Sequence, residues 1–125
     1  MTRVHTGRIR PAAAAGSFYP ADPARLDAEV ARLLAQVSPS GGAAPKALIA
    51  PHAGYVYSGA VAASAFAQLC GRGEHIARVI VIGPAHYVPV RGIALATAEA
   101  FATPLGRVSV DRDALAVVAD LPCAE

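Results

Sequence analysis

The chain has 125 residues, enough for one domain with a modest core. Its net charge of +2 and its scattered Arg and Lys lack the basic stripe of a nucleic-acid binder, and no apolar run approaches the ~20 residues of a membrane span. Arg3, Arg8 and Arg10 precede only a short alanine run, too weak for a signal peptide, and two cysteines make no disulfide framework, so the expectation is a cytoplasmic protein with reduced thiols.

Residues 1–20 read as an irregular arm, pinned where Phe18 and Tyr19 follow the Gly16-Ser17 pair. Asp22 as N-cap and Pro23 at the first helical position open a helix. Its apolar stripe is Leu26, Val30, Leu33, Leu34 and Val37, opposite Arg25, Glu29, Arg32 and Gln36. Ser38-Pro39-Ser40-Gly41-Gly42 ends it and is too short for a domain boundary.

Residues 46–50 form an apolar run stopped by Pro51, which predicts a buried strand. A helix should follow, capped by Ser58 and running to about Cys70, with Gly71 and Gly73 ending it. Val61, Ala65 and Leu69 would share one face of that helix, Ser64 and Gln68 another, and Cys70 would pack as a small apolar residue. Residues 77–82 are apolar and largely β-branched, which predicts a second buried strand parallel to the first in a right-handed βαβ unit. Further on, 92–96 reads as a strand, 101–106 as a turn, 107–110 as a half-exposed strand, and Asp111 caps a helix over about 112–120. The expected fold class is α/β in a single domain spanning 1–125.

One pattern occurs twice: a proline closes a predicted strand and a histidine follows at once, in Pro51-His52 and in Pro84-Ala85-His86. Ligands of open α/β sheets gather beyond the carboxyl ends of strands, so His52 and His86 are candidate metal ligands. A catalytic metal takes three protein donors; Glu99, Asp111 and Cys123 are the third candidates, and no spacing singles one out. Gly54 and Gly59 have P-loop spacing, but Ala60 and Val61 stand where Lys and Ser or Thr would hold phosphate and magnesium, so nucleotide binding is rejected. Tyr55 and Tyr57 could line a crevice or pack across it, and His5 and His75 read as surface residues. No Ser-His-Asp order and no adjacent Cys-His pair supports nucleophilic catalysis.

Ala15-Gly16-Ser17-Phe18-Tyr19, Ala50-Pro51-His52-Ala53-Gly54-Tyr55 with Tyr57-Ser58-Gly59, Gly83-Pro84-Ala85-His86 and Thr103-Pro104-Leu105-Gly106 occur in that order. Together they resemble the Memo-like family, also called AmmeMemoRadiSam system protein B, over nearly the whole chain from Arg10. The resemblance implies a three-layer α/β/α fold with a mostly parallel central sheet, like that of the class III extradiol dioxygenases. It also implies iron(II) or copper bound through two histidines and a cysteine. The histidines carry over onto His52 and His86, and Ser17, Phe18, Tyr19 and Tyr55 fall near the same pocket. Neither Cys70 nor Cys123 matches the family's cysteine, which stands further downstream in longer members. The chain is therefore expected to be the N-terminal portion of a longer Memo-like domain, with an incomplete metal site and a tendency to self-associate.

Two functions follow as expectations. One is a metal-dependent, dioxygenase-like oxidoreductase; the other is a non-catalytic scaffold that takes a metal, a small molecule or a peptide in the same crevice.

Overall fold

In the computed structural model, which describes residues 8–38 and 41–124, three helices and a three-stranded sheet form an α/β chain. The elements are β1 (Ile9–Arg10), α1 (Pro23–Ala35), α2 (Tyr55–Phe66), β2 (Ala100–Thr103), β3 (Gly106–Ser109) and α3 (Arg112–Ala119). His5 and the Pro39-Ser40 part of the linker lie outside the described residues. The chain divides into two units, Ala13–Ile80 and Met1–Ala12 with Val81–Glu125.

The unit Ala13–Ile80 is built on α1 and α2. Asp22 accepts the Arg25 amide N–H at 2.8 Å and Pro23 occupies the first turn, as the sequence predicts. Such a cap contributes about 1 kcal/mol. Leu26 and Leu33 are buried, and each such side chain contributes roughly 1.5–3 kcal/mol by leaving water. The opposite face carries the exposed Glu29–Arg32 pair at 2.7 Å, which water screens.

α2 begins four residues earlier than expected, with Gly54 rather than Ser58 at its N-cap. Its packed residues are Ser58, Gly59, Ala63 and, in the 3₁₀ turn that follows, Ala67. Val61 is exposed instead. The small residues win this face because they let α2 close on α1: a Cβ at Gly59 would come within 2.9 Å of the Leu33 Cδ1. The helical segment ends at Leu69, and Gly71 turns the chain at φ +71. Cys70 is exposed, not packed at the helix end.

The other unit holds the sheet, in the order β1-β2-β3. β1 runs parallel to β2, with Arg10 beside Phe101, and β2 runs antiparallel to β3, with Thr103 beside Gly106. The sheet is therefore mixed, not mostly parallel. The segment 101–106, expected as a turn, is a strand and a tight reversal together. Thr103 Oγ1 accepts the Leu105 amide N–H at 3.2 Å and donates to the Gly106 carbonyl at 3.0 Å. Gly106 sits at φ +137, a conformation that a side chain would strain. Asp111 caps α3 as expected, accepting from the Ala114 amide N–H at 2.9 Å.

The three other predicted strands are corrected. Of 92–96, only Ile93 pairs, through a single bridge to Ala124. Neither 46–50 nor 77–82 enters a ladder. Ile49 is 98% exposed, and Val79, Ile80, Val81 and Ile82 are 72%, 77%, 88% and 87% exposed. Such runs need partner strands and covering helices on both faces, and the described residues supply neither.

An exposed β-branched stretch outside any ladder, such as residues 79–82, is a template for pairing with another chain. The chain should therefore elute above its monomer mass in size exclusion with light scattering. Val81→Lys with Ile82→Lys should shift it toward monomer; a wild type that is already monomeric at high concentration would contradict this.

Candidate functional site

In Ala13–Ile80 the arm, the turn after Pro51 and the two helices enclose a cleft. The arm is held by backbone chemistry. The Ala14 carbonyl accepts the Phe18 amide N–H at 2.9 Å, the Ser17 amide N–H at 3.2 Å and the Ser17 hydroxyl at 3.0 Å. Gly16, at φ +84, lets its own N–H reach the Tyr19 carbonyl at 2.7 Å. The loop so formed presents the Phe18 carbonyl to the Tyr55 amide N–H, 2.8 Å away. Gly54 lies against this bond, with the Phe18 oxygen 3.4 Å from where its Cβ would stand. The Phe18 backbone thus does the pinning, while its ring stays half exposed.

The turn that carries His52 is fixed from the helix side. Buried Ser58 donates its hydroxyl to the Ala53 carbonyl at 2.8 Å, and the Gly54 carbonyl accepts the Ser58 amide N–H at 3.1 Å. A Ser hydroxyl turned back onto the preceding carbonyls bonds acceptors that begin the helix instead of capping donors.

The cleft has a volume of about 350 Å³, within the roughly 300–1,000 Å³ of small-molecule sites. His52 lines it with Phe18, Tyr19, Tyr55 and Phe66, over a floor that includes Leu33 and Ala63. The Tyr19 and Tyr55 rings lie 5.7 Å apart at 44°, a tilted aromatic pair. Burial pushes the Tyr55 phenol above its ordinary range, and Tyr19 beside it adds to the effect. At neutral pH, Tyr55 is therefore a protonated hydrogen-bonding group, not a base.

Of the residues the sequence singled out for the pocket, Phe18, Tyr19, Tyr55 and His52 line the cleft; Ser17 does not, its hydroxyl being spent on Ala14. Ser58 and Gly59 line the cleft without having been singled out as pocket residues. Their signal was the small-residue spacing of Ser58, Gly59, Ala62 and Ala63, which marks the face of a closely packed helix.

His86 belongs to the other unit, where it is exposed and its ring lies 6.5 Å from that of Tyr87. Of the third-donor candidates, Asp111 caps α3, the Glu99 amide N–H bonds the Arg8 carbonyl at 2.9 Å, and the Cys123 carbonyl accepts from Ile93 at 2.7 Å with its thiol exposed. Among the described residues no three His, Cys, Asp or Glu side chains are gathered so as to hold one ion. Nor, among them, is any helix long and apolar enough to cross a membrane.

Residues 10–122 match the family described as Memo-like protein. The chain is 42% identical over 102 residues to a protein named memo-1 homolog from Caenorhabditis elegans, covering 82% of this chain and 28% of that one. It is 42% identical over 112 residues to Protein MEMO1 of Danio rerio, covering 90% and 36%. It is 41% identical over 113 residues to a MEMO1 family protein of Pyrobaculum arsenaticum, covering 85% and 40%. The chain spans about a third of the length of the curated relatives it matches.

The Tyr55 environment gives a direct check. Subtracting the phenolate absorbance titration of Tyr55→Phe from that of the unaltered chain should leave a transition with its midpoint above the ordinary ~10 of tyrosine. Tyr19→Phe should bring that midpoint part of the way down. By linkage, the unfolded chain then ionises first, so Tyr55 lowers stability as pH rises beyond the ordinary phenol range and has no effect below it.

Proposed function

The chain belongs to the Memo-like protein family, and from that premise we propose that it is the histidine-bearing portion of a metal-dependent, dioxygenase-like oxidoreductase of the cytoplasm. His52 and His86 are its neutral imidazole ligands to iron(II) or copper. In the complete fold the runs 46–50 and 77–82 become strands of a mostly parallel sheet in a three-layer α/β/α arrangement.

The observation that carries this reading is the setting of His52. It lines a cleft floored by apolar side chains and walled by aromatic rings, on a turn clamped by Ser58. His52 itself is exposed, open to an incoming ion, while the turn beneath it is fixed, which is what an accessible and oriented ligand needs. The repeated proline-then-histidine pattern supports His86 as its counterpart. A catalytic metal takes three protein donors, so in this reading a third ligand joins the two histidines, which alone bind weakly.

A second reading has its own observation. Phe18 and Phe66 leave about half their surface exposed at the cleft, at 52% and 51%. Open aromatic walls suit a non-catalytic scaffold that grips a peptide or small molecule.

Titration with Fe(II) and with Cu(II) tests the first reading. His52→Ala and His86→Ala should each weaken binding at least about tenfold while leaving helical content unchanged. Acid should release the metal, because an imidazole must be neutral to bind. If both variants bind as tightly as the unaltered chain, neither histidine is a ligand and the scaffold reading stands in its place.

A further inference from the structure

We propose that the cleft beside β1 is a second ligand site, one for a small organic anion bearing a phosphate or a carboxylate. Arg10 on β1 and Arg8 just before it are two residues apart, so the strand period sets them on one face. Both line a cleft of about 340 Å³ with Leu95, Thr97, Ala98 and Phe101. All of these residues belong to the unit that carries the sheet, and none contributes to the His52 cleft.

The charge there is unbalanced. Among the described residues no carboxylate lies within ion-pairing distance of Arg8 or Arg10. Glu99, next to Ala100 on the neighbouring strand, meets Arg8 through its backbone N–H, and its side chain does not line the cleft. The Arg10 guanidinium instead lies over the Phe101 ring, 5.6 Å from the centroid. That contact orients the guanidinium without neutralising it. Two like charges on one wall repel, and an oxyanion shared between their N–H forks removes the repulsion. Ala96 also lines the cleft, and its carbonyl accepts from Arg112 Nη1 at 3.4 Å.

The floor sets the class of ligand. Ala98 is buried and Leu95 half-buried, so the cleft offers an apolar shelf beside the two cations. Its volume exceeds what a bare oxyanion fills, and a carbon body on the shelf adds burial to the ion pairing. Thr97 adds a hydroxyl that can donate to the anion.

The test is titration of the whole chain with inorganic phosphate, phenyl phosphate and benzoate, followed by amide and guanidinium NMR shifts. Phenyl phosphate or benzoate, or both, should saturate with shifts at Arg8, Arg10 and Phe101, and phenyl phosphate should bind about tenfold tighter than inorganic phosphate. The phenyl phosphate and benzoate arms decide which head group the site prefers. Arg8→Gln should weaken binding about tenfold, whereas Arg107→Gln on β3 should leave it unchanged. Arg10→Gln also removes the contact with Phe101, so Arg8→Gln, which keeps it, is the deciding variant. Saturation by none of the three probes, unchanged affinity in Arg8→Gln, or shifts confined to other residues would each overturn the proposal.

Discussion

The site in Ala13–Ile80 depends on how the start of α2 is held. Two hydrogen bonds do it: the Ser58 hydroxyl to the Ala53 carbonyl and the Tyr55 amide N–H to the Phe18 carbonyl. The first fixes the turn that carries His52 to the body of the helix. The second fixes the arm to the same turn, so that the Tyr19 and Tyr55 rings meet. Both involve groups that would lose water without return if left unpaired, which makes the arrangement cooperative. Gly59 serves the same end, because a side chain there would press on Leu33.

The local signals in the sequence were legible where they were chemical. Asp22-Pro23 and Asp111 announced two helix starts, and both caps formed. The stripe through Leu26 and Leu33 named the buried face of α1. Legibility failed where partners decide the outcome. The apolar runs 46–50 and 77–82 have strong strand character, yet a strand exists only when its backbone groups find a ladder. β1 was not foreseen for the converse reason: two residues in an irregular arm become a strand through β2, some 90 positions along the chain.

The candidate site followed the same division. His52 was named from its place after Pro51, and Phe18, Tyr19 and Tyr55 as what the family resemblance implies; all four line one cleft. Ser17, named with them, bonds within its own loop, a local competition that motif reading does not weigh. Ser58 was read as a cap because it follows two tyrosines in a turn-like sequence. Its real place is one turn inside α2, whose N-cap is Gly54, where the Phe18 carbonyl takes the Tyr55 amide N–H. His86 was legible as a pattern, and its setting in the other unit adds the Tyr87 ring beside it.

The account turns on Ser58 as the clamp between helix and His52 turn, and hydrogen exchange in Ser58→Ala measures that clamp. The Tyr55 amide, whose hydrogen bond to Phe18 closes the arm on the cleft, should exchange faster in the variant by about tenfold, the effect of losing one buried hydrogen bond. Nuclear Overhauser contacts between Tyr19 and Tyr55 should weaken with it, while the amides in the middle of α1 keep their protection. Unchanged Tyr55 exchange together with intact Tyr19–Tyr55 contacts would contradict the account, because the cleft would then be held without the clamp.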